Sequence, residues 1–386
     1  MGVPGFGEER QVQRRRAVRG RLVGTSVAAA VAGGALLLSA CGSTTAVIDD
    51  GPEPTRTSTI ACATRGQLAA SGSSAQQNAM KHWMRTYRKA CPGVEIRYVP
   101  IGSGGGVAQF LRGATVIGGT DSPLKAEEVE RSREVCRGGR AIDLPMVGGP
   151  IAIGYNLSGV RDVVLDAPTL AKIFDSEITM WNAPEIQRLN PGTRFPATPI
   201  STVHRSDESG TTQNLNAYLA GAAPDEWPYP KDKAWQAKGG QAAAGSDGVA
   251  SRVQVTDGAI GYFELSFAKA KDLPTVRLDT GAPEPVAVSA ATASAGIATA
   301  HVKGTGQDMA LAFDYRTKAS GAYPIVLVTY EIVCDTGNQI EVLPALRSFL
   351  TYTASAEGQR DLARIHYAPL PDDVAARVRQ VVAGLS

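Results

Sequence analysis

Residues 203–220, VHRSDESGTTQNLNAYLA, place a cation, an anion and small hydroxyl residues just before a stretch with helical spacing. Ser209-Gly210-Thr211 would present backbone and hydroxyl donors at a helix N-terminus, where the helix dipole favours negative charge. Arg205 can give two parallel N–H bonds to an oxyanion, and Asp207 can hold its guanidinium in position. This segment therefore predicts an anion-binding site at the start of a helix.

Two further segments carry compatible chemistry. GSGGGVAQFL, 102–111, offers Ser103 and a run of glycines whose backbone N–H groups can turn toward one anion, just before a predicted helix, Val107–Arg112. In GGTDSPL, Asp121 repels a fully ionised anion but accepts a hydrogen bond from one that keeps a proton. Phosphate keeps a proton at neutral pH and sulfate does not. Taken singly, the glycine run is also typical of a flexible loop, and Asp121 of a turn.

The segments that would position these residues alternate between strand and helix. GQLAAS, 66–71, reads as a strand before an amphipathic helix at 76–90, VEIRYVPI at 94–101 is a second strand, and ATVIGGTDSPL at 114–124 is a strand followed by a turn. This alternation predicts an α/β fold with a largely parallel sheet. Such sheets bind ligands at the carboxyl ends of their strands, which is where the Gly-, Ser- and Asp-rich loops fall.

Two long apolar segments, 146–160 and 322–333, lie far apart in the sequence. We expect them to be strands that cross between two lobes. A second α/β region lies between them, and two helices, at 343–355 and 371–385, are expected after them.

The N-terminus is typical of an export signal. Arg14-Arg15-Arg16 precedes an apolar stretch, 22–38, and Leu38-Ser39-Ala40-Cys41 resembles a lipobox, in which the cysteine of a bacterial lipoprotein is lipidated. Residues 1–41 are therefore expected to be a lipoprotein signal peptide, with an uncleaved membrane anchor as the alternative. The Pro/Thr/Asp-rich residues 42–60 are predicted to be a flexible tether.

Composition limits the classes of function. The chain has 386 residues, enough for two or three domains, and a formal net charge of +2, of which six arginines and two glutamates in residues 1–41 contribute +4. The remaining balance of about −2, without a basic stripe, argues against a nucleic-acid partner. The four histidines are widely scattered, so neither a metal site nor a cofactor is expected.

Four cysteines follow Cys41. An even number in an exported chain predicts two disulfides, with three connectivities open. We favour Cys62–Cys91 with Cys136–Cys334.

The chain resembles the phosphate-binding subunit of bacterial phosphate ABC transporters from about Gly66 to its C-terminus. The stretches that carry the resemblance are IGSGGGVAQF, IGGTDSPL, VGGPIAIGYNL, LAKIFDSEITMWNAPEIQRLNPG, VHRSDESGTTQNLNAYL, DGAIGYFE and YAPLPDDV. The resemblance implies a two-lobed, type II periplasmic-binding-protein fold with a hinge of two crossing strands. Lobe I would comprise residues 60–148 and 324–386, and lobe II residues 149–323.

The resemblance also implies a function and a set of ligands. We expect the protein to be a monomer at the extracytoplasmic face of the bacterial cell membrane, lipid-anchored through Cys41. It would capture inorganic phosphate with high affinity and deliver it to the permease and ATPase subunits of an ABC transporter, without catalysis. Asp207 would pair with Arg205. The phosphate-binding residues would be Ser74, Ala75, Ser103, Asp121, Arg205, Ser209, Gly210 and Thr211.

Two positions depart from the family pattern. The first loop reads GSSAQ where many relatives have Thr-Phe-Pro, so Ala75 supplies no aromatic wall, and Glu208 replaces a common glycine and adds negative charge.

Three alternative functions remain open. A phosphate sensor or surface adhesin would share the fold, and a sulfate or molybdate binder is disfavoured by Asp121. A secreted phosphatase or acyl hydrolase would use Ser209 or Ser103 as its nucleophile, yet neither serine lies in a G-x-S-x-G motif.

Overall fold

The structure, a computed structural model, describes residues 59–298, 300–304 and 306–386. These residues belong to one compact unit, Thr57–Ser386. The predicted signal peptide with Cys41, and all but the end of the predicted tether, lie outside them. Every helix within the described ranges is too short or too polar to span a bilayer.

Strands and helices alternate along the described chain, as the sequence predicts. The strands are β1 Gly66–Gly72, β2 Val94–Val99, β3 Ile117–Thr120, β4 Ala141–Asn156, β5 Val164–Asp166, β6 Ser201–Arg205, β7 Gln241–Ala243, β8 Ala259–Glu264, β9 Arg277–Asp279, β10 His301–Val302, β11 Leu311–Ala312 and β12 Val326–Cys334. The helices are α1 Gln77–Ala90, α2 Ser103–Leu111, α3 Ala126–Arg131, α4 Ala167–Phe174, α5 Pro184–Leu189, α6 Gly210–Ala222, α7 Gly245–Val255, α8 Leu265–Ala270, α9 Ala290–Ile297, α10 Leu343–Thr353, α11 Ala356–Arg360 and α12 Asp372–Gly384.

Eight of these strands form one sheet in the order β2-β1-β3-β12-β4-β8-β6-β7. Both outer parts are parallel: β1 pairs with β2 and β3, and β6 pairs with β7 and β8. The centre is antiparallel, because β12 runs against β3 and β4, and β4 runs against β8. The expectation of a largely parallel sheet is therefore wrong at the centre. β4 leads from the first part of the sheet to the second and β12 leads back, so the two strands run in opposite directions.

The two long apolar segments form this central pair. β4 and β12 pair from Val326 opposite Pro150 to Cys334 opposite Ala141, and almost every residue along both strands is buried. The first half of β4 packs into one hydrophobic core, with β1, α1, α10 and α12, and its second half packs into another, with α4, α6, α7 and β8. The central strands are thus shared between two cores.

Helix α1 forms because its apolar residues recur on one face. Ala79, Met80, Trp83 and Tyr87 are buried along it, and the helix matches the predicted segment 76–90. In contrast, α2 begins at Ser103 and not at the predicted Val107. The glycine run belongs to its first turn. Glycine is needed there because the helix lies close against the end of β1. A side chain on Gly106 would come within 2.5 Å of the Gly72 Cα.

The favoured disulfide connectivity is confirmed. Cys62 and Cys91 are bonded, as are Cys136 and Cys334, with Cα–Cα distances of 5.3 Å in both. The first bridge fastens the N-terminal segment to the end of α1, and the second fastens the segment before β4 to the end of β12.

The two bridges close loops of very different length, 29 and 198 residues. Because the longer loop restricts the unfolded chain more, we expect Cys136→Ala/Cys334→Ala to lower the free energy of unfolding by about 5 kcal/mol, and Cys62→Ala/Cys91→Ala by about 3.5 kcal/mol. Denaturant unfolding of residues 57–386, with the unchanged body as control, measures both losses. A larger loss from the shorter loop would contradict this ranking.

Candidate functional site

Three loops at the carboxyl ends of strands meet at the hydroxyl of Ser103. Ser103 is the first residue of α2, and its Oγ accepts hydrogen bonds from the backbone N–H groups of Asp121 and Gly210, both at 3.1 Å. It also donates to the Asp121 carboxylate at 3.3 Å. The loops after β2, β3 and β6 are therefore in direct contact, as the anion-site prediction requires.

Asp121 is buried, with 2% of its surface exposed. Thr329 on β12 donates to its Oδ1 at 2.8 Å, a contact that sequence analysis did not foresee. Burial raises the pKa of Asp121, against hydrogen bonds from Ser73, Thr329 and Ser103 and the charge of Arg205. The Asp121 carboxylate can thus accept a hydrogen bond, while its buried position disfavours a fully ionised anion beside it.

Arg205, at the end of β6, is held by Asp207. Its Nε donates to Asp207 Oδ1 at 2.7 Å, and a terminal nitrogen donates to Oδ2. The Gly245 N–H, at the start of α7, also donates to Oδ1, at 3.0 Å. Although burial acts the other way, the hydrogen bonds and charge of Arg205 lower the pKa of Asp207. The pair fixes the guanidinium beside the three loops, as predicted.

Helix α6 begins at the predicted donors. Ser209 is its N-cap and accepts a hydrogen bond from the Thr212 N–H at 3.2 Å. Thr211 is fully buried, and its hydroxyl has no hydrogen-bond partner among the described residues. Asn214, one turn further on, donates to the carbonyl of Asp121 at 2.8 Å and ties α6 to that loop. The start of α6 therefore faces the loops of β2 and β3.

The loop between β1 and α1 contributes Ser74 and Ala75. Ser74 Oγ accepts a hydrogen bond from the Ser246 N–H at 3.0 Å and lies 3.2 Å from the Ser246 Oγ. The Ala75 N–H donates to the hydroxyl of Ser73 at 3.1 Å. Ser246 was missed by sequence analysis, although the Gly-Ser pair opening a helix after β7 was a local indication.

The eight predicted ligands thus lie on loops that contact one another, directly or through Asp207 and Ser246. Glu208, the second departure from the family pattern, is exposed, and its backbone carbonyl accepts a hydrogen bond from the Gly104 N–H at 3.0 Å. It joins the loop after β6 to α2 through its main chain. His204 lies on β6, where its ring stacks on Trp235 with centroids 5.1 Å apart.

Comparison with known proteins gives consistent matches. Residues 57–357 match the PBP superfamily domain. The chain is 42% identical over 356 residues, 91% of its length and 96% of the relative's, to phosphate-binding protein PstS 3 of Mycobacterium tuberculosis. It is 31% identical over 316 residues, 81% of its length and 84% of the relative's, to phosphate-binding protein PstS of Xylella fastidiosa.

Solved structures show the same fold. A high-affinity periplasmic phosphate-binding protein (PfluDING) bound with phosphate is 23% identical, with a TM-score of 0.65 over 81% of this chain and 93% of that one. A putative phosphate ABC transporter substrate-binding protein from Clostridium perfringens with bound phosphate is 19% identical, with a TM-score of 0.57 over 79% and 100%. At these identities the likeness carries the fold alone; together with the family match it confirms the expected two-lobed periplasmic-binding-protein fold.

The bond from Thr329 to Asp121 makes a testable prediction. Because this hydrogen bond favours the ionised carboxylate, Thr329→Val should raise the pKa of Asp121 further. NMR titration of the aspartate carboxyl carbons measures the change. Thr353→Val is the matched control, since the Thr353 hydroxyl is also buried but bonds to Leu350 and Met146. A lower or unchanged pKa in Thr329→Val would contradict the assigned contact.

Proposed function

Because this chain belongs to the phosphate-binding PstS proteins, within the PBP superfamily, we propose that it binds inorganic phosphate outside the cytoplasm and delivers it to an ABC permease for import. The observation that carries this proposal is the buried carboxylate of Asp121, placed beside Ser103 and the loop of Arg205. A carboxylate in that position accepts the proton of a phosphate dianion and repels a fully ionised sulfate.

The ligand set follows from the contacts. We assign to phosphate the following groups: the hydroxyls of Ser74, Ser103, Ser209 and Thr211, the backbone N–H groups of Ser74, Ala75 and Gly210, the guanidinium of Arg205 and the carboxylate of Asp121. On binding, the N–H groups of Gly210 and Ala75 would exchange their present hydrogen bonds, to the hydroxyls of Ser103 and Ser73, for bonds to phosphate oxygens. About ten such bonds in a site sheltered from water could supply the roughly 8 kcal/mol that micromolar binding requires.

Capture requires the site to open and close. We assign residues 60–148 and 324–386 to lobe I and residues 149–323 to lobe II, with the hinge where β4 and β12 pass between the two cores. The two separate hydrophobic cores support this division. Contacts such as Ser74 with Ser246, and Gly210 with Ser103, join the two sets of residues and would break on opening.

We assign no bond-breaking step to the site. The Ser103 hydroxyl contacts Asp121 and the Ser209 hydroxyl contacts the N–H of Thr212, while the His204 Nδ1 lies 3.1 Å from the Arg205 carbonyl. None of these contacts forms the Ser–His arrangement that a hydrolase nucleophile uses. Binding and release without chemistry is the function that these contacts support.

Phosphate selectivity tests the proposal. We expect the body, residues 57–386, to bind phosphate and arsenate and to discriminate strongly against sulfate. Asp121→Asn should lower the ratio of the sulfate Kd to the phosphate Kd at least about tenfold, about 1.4 kcal/mol, because an amide can donate to sulfate where a carboxylate repels it. Isothermal titration calorimetry measures both constants.

The matched control is Asp143→Asn. Asp143 is as buried as Asp121, but its carboxyl group accepts a hydrogen bond from the Leu124 N–H and makes none with Ser103 or Thr329. Sulfate binding as tight as phosphate binding in the unchanged protein would refute the role of Asp121.

We further propose that Cys41 carries the lipid that holds the protein at the extracytoplasmic face of the membrane, within reach of the permease and its ATPase. Metabolic labelling with radioactive palmitate in a bacterial host should mark the full-length protein and leave Cys41→Ala unlabelled. Cys62→Ala should keep the label, since Cys62 is bonded to Cys91. A labelled Cys41→Ala variant would eliminate this anchor.

A further inference from the structure

Two tyrosines from distant parts of the chain hold the loop between β1 and α1. The hydroxyl of Tyr98, on β2, donates to the Ser73 carbonyl at 2.6 Å. The hydroxyl of Tyr367, near the C-terminus, donates to the Ala75 carbonyl at 2.5 Å. Two carbonyl groups of one loop, two residues apart, are therefore fixed by side chains that lie 25 and 292 residues away in sequence.

These bonds determine where the loop's N–H groups point. In a trans peptide the C=O of one residue and the N–H of the next point in opposite directions. Holding the Ser73 carbonyl on Tyr98 therefore aims the Ser74 N–H the other way, and holding the Ala75 carbonyl on Tyr367 does the same for the Gln76 N–H. The Ser74 N–H is one of the donors that we assign to phosphate.

Beside Tyr98 and Gln76 lies the buried carboxyl group of Glu331. Gln76 Nε2 donates to the Tyr98 hydroxyl at 3.1 Å. Glu331 lies opposite Gly119 in the sheet, and a side chain on Gly119 would come within 2.4 Å of Gln76 Nε2. Both Glu331 oxygens, and Gln76 Oε1, have no hydrogen-bond partner among the described residues. A proton on Glu331 supplies the donor that this group of acceptors needs.

Behind Tyr367 lies a second buried carboxyl group. The Glu264 Oε2 accepts the Ser266 N–H at 3.0 Å and contacts the Ser266 hydroxyl, which also lies 3.3 Å from the Tyr367 hydroxyl. The Ser266 hydroxyl has one hydrogen and cannot donate to both. A proton on Glu264 resolves the conflict: Glu264 donates to Ser266, Ser266 to Tyr367, and Tyr367 to the carbonyl of Ala75.

We propose that Tyr98 and Tyr367 are positioning residues for phosphate binding, which orient the first loop from both sides with neutral Glu331 and Glu264 behind them. The inference rests on the proposed function, since Tyr98 aims the Ser74 N–H that we assign to phosphate and Tyr367 fixes the Ala75 carbonyl in the same loop. Neither tyrosine contacts the anion in this arrangement; each acts through the backbone that it holds.

Ionisation of Glu331 and Glu264 sets an upper pH limit for this positioning of the loop. Burial raises the pKa of Glu331 and that of Glu264 to about 8 in each case. The titratable groups that face them are Tyr98 and Asp121 for Glu331, and Tyr367 and Asp121 for Glu264. Both acids are neutral below that pH and ionise above it. Ionisation removes the carboxyl O–H donors and adds negative charge near Asp121. Phosphate affinity is therefore retained near neutral pH and falls in alkaline solution.

The first test replaces single hydroxyl groups. Tyr98→Phe and Tyr367→Phe should each weaken phosphate binding by about three- to tenfold, the effect of losing one hydrogen bond. Tyr87→Phe is the control, because the Tyr87 hydroxyl lies 2.5 Å from Ser348, away from the loop. Calorimetry gives the Kd, and thermal unfolding without phosphate checks that all three variants fold alike. Unchanged affinity in both test variants would overturn the inference.

The second test asks whether Glu331 and Glu264 act as neutral hydrogen-bond donors. Glu331→Gln and Glu264→Gln retain a neutral donor, so each should bind phosphate at neutral pH within about threefold of the unchanged protein. Each should also show a smaller loss of affinity than the unchanged protein between about pH 7 and pH 9.5. The same alkaline loss in both variants would refute the role of the acids. Failure of the unchanged protein to bind phosphate would instead refute the proposed function.

Discussion

Burial of the Asp121 carboxyl group is the constraint on which the rest of the site depends. A carboxylate removed from water is costly unless donors and a cation surround it. Ser103 and Thr329 supply hydroxyl donors, and the charge of Arg205 acts from the end of β6. These groups come from three separate parts of the chain, so the acid is stabilised only when the elements that bear them are assembled. The same surroundings leave the carboxylate able to accept one proton from a bound anion.

The central strands connect this site to the division between the two cores. Thr329, which bonds to Asp121, lies on β12, and the pairing of β12 with β4 shifts register between Thr329 and Tyr330. Such irregularities bend a strand and redirect its side chains. A strand that passes between the cores therefore also carries a direct contact to the buried acid.

Local patterns were sufficient to predict much of this arrangement. Alternating strands and helices, the donors that begin α6, the Arg205–Asp207 pair and the disulfide connectivity were all predicted, because each depends on neighbouring residues or on a small number of combinations. The antiparallel centre was missed, since strand direction depends on the path of the whole chain. Ser246, Thr329, Tyr98 and Tyr367 were also missed. They contact their partners across 172, 208, 25 and 292 residues, and no periodicity marks a single hydroxyl for such a role.

The charges within the site explain why so many neutral donors are present. Arg205 carries one positive charge, while Asp207 and Asp121 carry one negative charge each when ionised, so this trio is anionic before any ligand arrives. A phosphate dianion therefore gains little from ion pairing alone. In the proposed site its binding would depend on the N–H groups and partial positive charges at the starts of α1, α2 and α6, which add no formal charge. In the proposed site it would depend equally on the proton shared with Asp121, which would convert one repulsive contact into a hydrogen bond.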